Sequence, residues 1–133
     1  MKKVMCFLLL IFQHSYSCAE EDILTVDRST PGGMQLAFPN DDNIRPKSGE
    51  FKLDNYVLMC GDNGDRWAVV TLSNLSSGNR IFEHDQLLAL FANGERRFPL
   101  IFKATAKGKE TLTFTLSFGQ SKFPILELYT AKR

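Results

Sequence analysis

Residues 110–118 read ETLTFTLSF, an unbroken alternation. Leu112, Phe114, Leu116 and Phe118 fall on one side, and Thr111, Thr113, Thr115 and Ser117 on the other. A helix gathers residues three and four apart on one face and would mix the two sets. An extended strand with one buried and one wet face keeps them apart. Arg66–Leu75 follows the same rule less strictly, with Ala68, Val70 and Leu72 alternating with Trp67, Val69 and Thr71. Arg97–Lys103 sets Phe98, Leu100 and Phe102 on one side, with Pro99 marking an edge or an unpaired position. Phe51–Cys60, Leu87–Phe91 and Lys122–Thr130 are further strand candidates, and Ile23–Asp27 and Met34–Phe38 are short ones.

Turn dipeptides separate these runs. Asn63-Gly64 and Asn93-Gly94 each stand between two candidate strands, and Asn-Gly suits the positive φ angles of a type I′ hairpin turn. Lys107-Gly108 and Gly119-Gln120 bracket the threonine-rich strand. Glu83–Leu90, EHDQLLAL, has the composition for one or two helical turns, but Asn93-Gly94 needs a strand partner before it, so strand is the expectation. Seven to eight short strands joined by tight hairpins predict an all-β chain, a single small antiparallel β-sandwich over residues 20–133.

Two stretches, VTLSNLSSG (70–78) and QLLALFANGERRFPL (86–100), resemble bacterial extracytoplasmic modules of immunoglobulin-like type. The resemblance covers about thirty residues. It implies an immunoglobulin-like sandwich and no particular activity, because sandwiches host many functions.

The N-terminus has a different character. Lys2 and Lys3 precede an uncharged apolar run, Val4–Phe12, followed by small residues at Ser17-Cys18-Ala19 and acids at Glu20, Glu21 and Asp22. This is the layout of a signal peptide over residues 1–19, and the apolar run is too short to span a bilayer. No later apolar stretch is long enough for a span, so the expected product is an exported, periplasmic chain. Cutting after Ala19 leaves Cys60 as the only cysteine, while cutting after Ser17 leaves Cys18 and Cys60 able to form one disulfide. Cys18 is also a candidate lipid-anchor cysteine, but Ser15-Tyr16-Ser17 lacks the aliphatic residue such signals place three positions upstream.

Without residues 1–19 the chain carries 14 basic and 15 acidic residues, which gives no support for nucleic-acid binding or a polybasic membrane patch. The charge is unevenly spread. Residues 20–65 hold ten acids against four bases, and residues 96–133 hold eight bases against two acids. Mutual neutralisation of the two halves is the simpler reading; a functional polarity is the other.

Catalytic sets are hard to assemble. His84 is the only histidine beyond the leader, there is no Gly-x-Ser-x-Gly elbow, and Pro31-Gly32-Gly33 is not followed by the Lys-Ser/Thr of a phosphate loop. One thiol and one imidazole do not make a zinc site. MCGDNGDRW (59–67) lacks both the alternating oxygens and the distant closing acid of a calcium loop, and Asp62 and Asp65 flank a turn where no cleft is expected. The chain is therefore expected to bind another protein without catalysis and without a cofactor. Three polar tips are candidates for contact: Asp41–Asn43, Asp62–Arg66 and Asn93–Arg97. Within them, Asp62, Asp65, Arg66, Arg96 and Arg97 are the expected partner-binding residues, the arginines because they pair with carboxylates in two parallel bonds.

The profile suggests an immunity or inhibitor protein that blocks a secreted toxin or cell-wall hydrolase. The alternatives are a subunit of an envelope assembly such as a secretion system or pilus, or a small-ligand or sugar module using Trp67, Tyr56 and Tyr129. A homodimer is compatible with each. Export should be followed by cleavage near residues 17–20, and intact-mass measurement of the exported protein checks this. A mass that retains residues 1–17 would remove the export argument.

Overall fold

The computed structural model describes residues 23–31 and 38–132. The expected leader 1–19 with Cys18, and residues 34–37 of the strand expected at Met34–Phe38, lie outside the described residues. The all-β expectation holds. Nine antiparallel strands are described: β1 Leu24–Pro31, β2 Phe51–Gly61, β3 Asp65–Asn74, β4 Arg80–Glu83, β5 Leu87–Phe91, β6 Arg96–Arg97, β7 Lys103–Ala106, β8 Thr111–Gln120 and β9 Ile125–Thr130. They form a four-stranded sheet in the order β1-β2-β3-β8, a pair β4-β7, and a three-stranded sheet β6-β5-β9.

Parity builds the core. On β3, Ala68, Val70, Leu72 and Asn74 are buried while Val69, Thr71 and Ser73 are not. Opposite them on β8, Leu116 and Phe118 are buried and Leu112 and Phe114 pack against the same cluster, as the alternation predicted. Leu53, Tyr56 and Leu58 of β2 join from the other side, and Phe82, Leu87, Ala89, Phe91, Ala106, Ile125 and Leu128 from the two smaller sheets. Removing a Leu or Phe side chain from water in this way contributes about 1.5–3 kcal/mol each. The rejected face of the large sheet carries a polar ladder in which the Thr71 and Thr113 hydroxyls bond at 3.0 Å and those of Ser73 and Thr111 at 2.8 Å.

Two sequence expectations change in physical detail. At both Asn-Gly hairpins only glycine takes positive φ, 86° at Gly64 and 83° at Gly94. Gly64 N–H donates to Gly61 O and Gly94 N–H to Phe91 O, so each loop is an ordinary turn followed by a left-handed glycine, not type I′. The asparagines act through their side chains. Asn63 Oδ1 accepts from the Asp65 N–H and Asn93 Oδ1 from the Glu95 N–H, each at 3.1 Å. Arg97–Lys103 is not one strand. After Arg97 the ladder stops at Phe98-Pro99, where proline has no N–H to give, and Leu100 and Ile101 stand exposed before β7 begins. Glu83–Leu90 divides between both readings: a 3-10 turn at His84–Gln86 precedes the strand β5.

Asn74 closes the end of the sheet opposite these hairpins. It is 1 % exposed, and its amide donates to Gly78 O at 3.0 Å and Lys107 O at 2.9 Å while its Oδ1 accepts from Ser76 N–H at 2.9 Å. Asn74-Leu75-Ser76, which has the Asn-x-Ser spacing of a glycosylation acceptor, is thus a structural lock, with the Asn74 amide nitrogen inside the protein. Gly108 is required beside it because a Cβ there would overlap the backbone of Ser77. Replacing Asn74 by Ala strips partners from two carbonyls and an amide, and should cost on the order of 2–3 kcal/mol in urea unfolding. Lys52→Ala, on the exposed face of β2, should stay within about 0.5 kcal/mol. Equal losses from the two would remove the lock.

Candidate functional site

The loops at the hairpin end of the molecule are stitched together by main-chain and arginine bonds. Ser121 N–H donates to Gly64 O at 3.1 Å, and Ala92 N–H to Pro124 O at 2.9 Å. Between them lies the two-residue strand β6. Successive strand residues leave by opposite faces, and Arg96 and Arg97 do so with opposite tasks. The Arg97 guanidinium lies 4.7 Å from the Phe91 ring centre, bonds Phe118 O and Gln120 O, and pairs with Glu95 at 2.7 Å. It fastens β6 to the end of β8. Arg96 turns the other way and bonds the Tyr129 hydroxyl at 2.9 Å, Pro39 O at 2.8 Å and Phe38 O at 3.1 Å. It fastens the 38–46 segment to β9.

That segment roofs a cleft of about 530 Å³. Arg45, Arg96 and Lys132 line it, together with Tyr129, Ile44 and the buried carboxylate of Glu127. A second hollow of about 450 Å³ shares Asn40, Ile44 and Arg96 with it and is walled by Asp41, Asp42 and Glu95. Arg96 stands where the two meet. Its three acceptors are neutral, and Arg45 bonds the Asn43 side chain at 2.9 Å. The cleft therefore gathers three cationic side chains beside one buried carboxylate, in a concave setting where charge acts more strongly than on open surface.

Of the expected contact residues, Arg96 lines this cleft and meets Asp41 and Asp42 of the Asp41–Asn43 tip in the second hollow, which sequence separation hides. Arg97 is spent on internal carbonyls. Arg66 has a side chain 12 % exposed, paired with Asp27 at 3.3 Å and bonded to Ser121 O. Asp65 accepts from the Asn63 amide at 3.0 Å, and Asp62 is exposed on the neighbouring tip. MCGDNGDRW is a hairpin tip, as expected. Cys60 has no disulfide partner among the described residues, its thiol donating to Asp27 Oδ1 at 3.2 Å, and the expected partner Cys18 lies outside them. Tyr56 is core, 1 % exposed, and offers no stacking surface. Trp67 belongs to the outer face of β3, opposite Met59 and Ser117, and only Tyr129 of the three aromatics lines the cleft. Arg45, Glu127 and Lys132 were missed. Arg45 sits in a proline-flanked loop and Glu127 in a strand, and neither neighbourhood has a motif.

The far end of the roof is pinned by ions. Lys47 N–H donates to Asp85 O at 2.8 Å, and Lys47 Nζ meets Glu83 at 2.7 Å, with Lys103 on the same carboxylate at 3.1 Å. Among the described residues no three His, Cys, Asp or Glu side chains gather as a metal set, and no helix is long and apolar enough to cross a membrane. Comparison with protein-family models, with characterised proteins and with solved structures returns no match to this chain.

The hydrogen bond from Lys47, then that from Lys103, holds the Glu83 carboxyl below its ordinary range. A carboxyl depressed in the folded state stabilises above its unfolded pKa, about 4.3, and that contribution is lost as pH falls through the lower folded value. Wild-type melting temperature should accordingly fall on acidification below about pH 5. Glu83→Gln should be less stable near neutrality and show a shallower acid limb. Parallel curves for the two proteins would deny Glu83 this role.

Proposed function

We propose that this protein is an exported binding protein whose cationic cleft receives an acidic group of a partner protein, and that it acts as an immunity or inhibitor protein against a secreted toxin or hydrolase. The observation that carries the reading is Arg96, positioned by three neutral acceptors at the meeting point of two hollows. The sequence supports export through the basic, apolar and small-residue layout of positions 1–19. The basic surplus of the C-terminal third contributes Arg96 and Lys132 to the cleft, which favours a functional polarity over simple self-neutralisation.

Arg96 is held inside a concavity, so the partner's carboxylate comes to it. Its guanidinium is already immobilised, which lowers the ordering cost of binding. Truncating one member of a desolvated Arg–carboxylate pair typically costs about 2–5 kcal/mol, roughly 30- to several-thousand-fold in affinity.

The test begins with capture of partners by tagged protein from a periplasmic extract, followed by assay of the captured enzyme with equimolar protein. Inhibition is expected. Arg45→Glu, which leaves the Arg96 fastening intact, should weaken binding at least about tenfold without lowering the melting temperature. Asp62→Ala, on the neighbouring tip, should bind as wild type. A partner that binds through the Asp62 tip, with Arg45→Glu unaffected, would overturn the cleft assignment. A partner from an envelope assembly with no activity to inhibit would replace the inhibitor reading by the structural one.

A further inference from the structure

Among the described residues, one edge of the large sheet is covered only at Ser117. β8 pairs with β3 on one side only. Glu110 O accepts from Asn74 N–H on the β3 side, while Ser117 O accepts from Leu100 N–H on the far side. The even-numbered residues therefore bond inward to β3, and the odd-numbered ones present N–H and C=O outward. Leu100 occupies the outward edge at Ser117, and among the described residues the six outward groups of Thr111, Thr113 and Thr115 have no partner, with all three threonines exposed. Edge strands ordinarily carry a charge, a proline or a covering loop against pairing with another chain. From Thr111 to Gln120 this strand has no charged residue and no proline.

We propose that β8 is a self-association edge, joining two copies of this chain by antiparallel β8–β8 pairing about a dyad at Thr113. The pattern fits itself. With Thr113 on the dyad, Thr111 of one copy meets Thr115 of the other, so all six outward groups of each copy find partners. On the wet face threonine stands across from threonine, a favourable cross-strand pair. On the core face Leu112 stands across from Phe114, both only part-buried in one copy, and the second copy covers their edge-facing sides. No like charges are brought together. The paired length is limited at each end by Leu100 seated on Ser117 and by the turn at Lys107–Glu110, which selects this register.

Size argues for a second copy held reversibly. Six hydrogen bonds correspond, at about one per 100–200 Å², to roughly 600–1,200 Å² of interface, the low end for specific contacts. An interface of this size suits weak, reversible association, independent of the cleft.

Sedimentation velocity of the purified protein across a concentration series should show mass moving from one chain to two. Thr113→Lys sets two ammonium groups against each other at the dyad and should weaken association at least about tenfold. Thr113→Pro removes an outward N–H that no internal bond uses and should do the same, with melting temperature unchanged in the lysine variant. A protein that stays monomeric to millimolar concentration overturns the proposal. So does a dimer that survives Thr113→Lys, whether or not the proline variant folds.

Discussion

A β-strand sends successive side chains to opposite faces, and most of this structure depends on that one constraint. It puts Leu116 and Phe118 into the core while Thr113 and Thr115 stay wet. It makes the buried face of β3 from Ala68, Val70, Leu72 and Asn74. It also separates two adjacent arginines into fasteners on opposite sides of a two-residue strand. A slip of one residue anywhere in the large sheet would exchange its two faces, and the buried area that holds the sheets together would be lost.

The polar interior is sparse and is used where the chain changes direction. Asn74 satisfies carbonyls and an amide from two different turns. Arg96 and Arg97 satisfy four carbonyls from two segments. In each case a side chain with several donors replaces the water that loop backbone would otherwise require, because a buried carbonyl left unpaired costs more than the bond itself contributes. The same economy has a consequence at the cleft. Arg96 is positioned by neutral acceptors while its guanidinium lines both hollows. A structural fastener thereby doubles as a charged wall.

The two surfaces drawn from this architecture rest on different physics. The cleft depends on electrostatics in a concave site and would weaken with salt. The β8 edge depends on main-chain hydrogen bonds and neutral side chains, and should respond little to salt. They also lie on different strands: the cleft draws on β5, β6, β9 and the 38–46 segment, whereas the edge belongs to β8.

Periodicity and turn chemistry made much of the fold legible. The alternation at 110–118, the strand at 65–74 and the hairpins at Asn63-Gly64 and Asn93-Gly94 can all be read from neighbours in the chain, because a strand's faces and a turn's φ angles are local properties. Pro99 reads as an edge or unpaired position of a strand over Arg97–Lys103, whereas β6 ends at Arg97. The sequence also carried the leader pattern and the absence of a recognisable catalytic motif. Tertiary structure alone decided which tips come together. Arg96 reaches Phe38, 58 residues away, and Arg97 reaches Phe118, 21 residues away, through bonds that depend on how the sheets stack. It decided that Arg97 and Arg66 are consumed internally, that Tyr56 is core, and that Arg45, Glu127 and Lys132 share a cavity. It also decided that β8 is an edge, since strand order is set by long-range pairing. Side-chain parity is written in adjacent residues; adjacency in space between distant residues is a property of the packed whole.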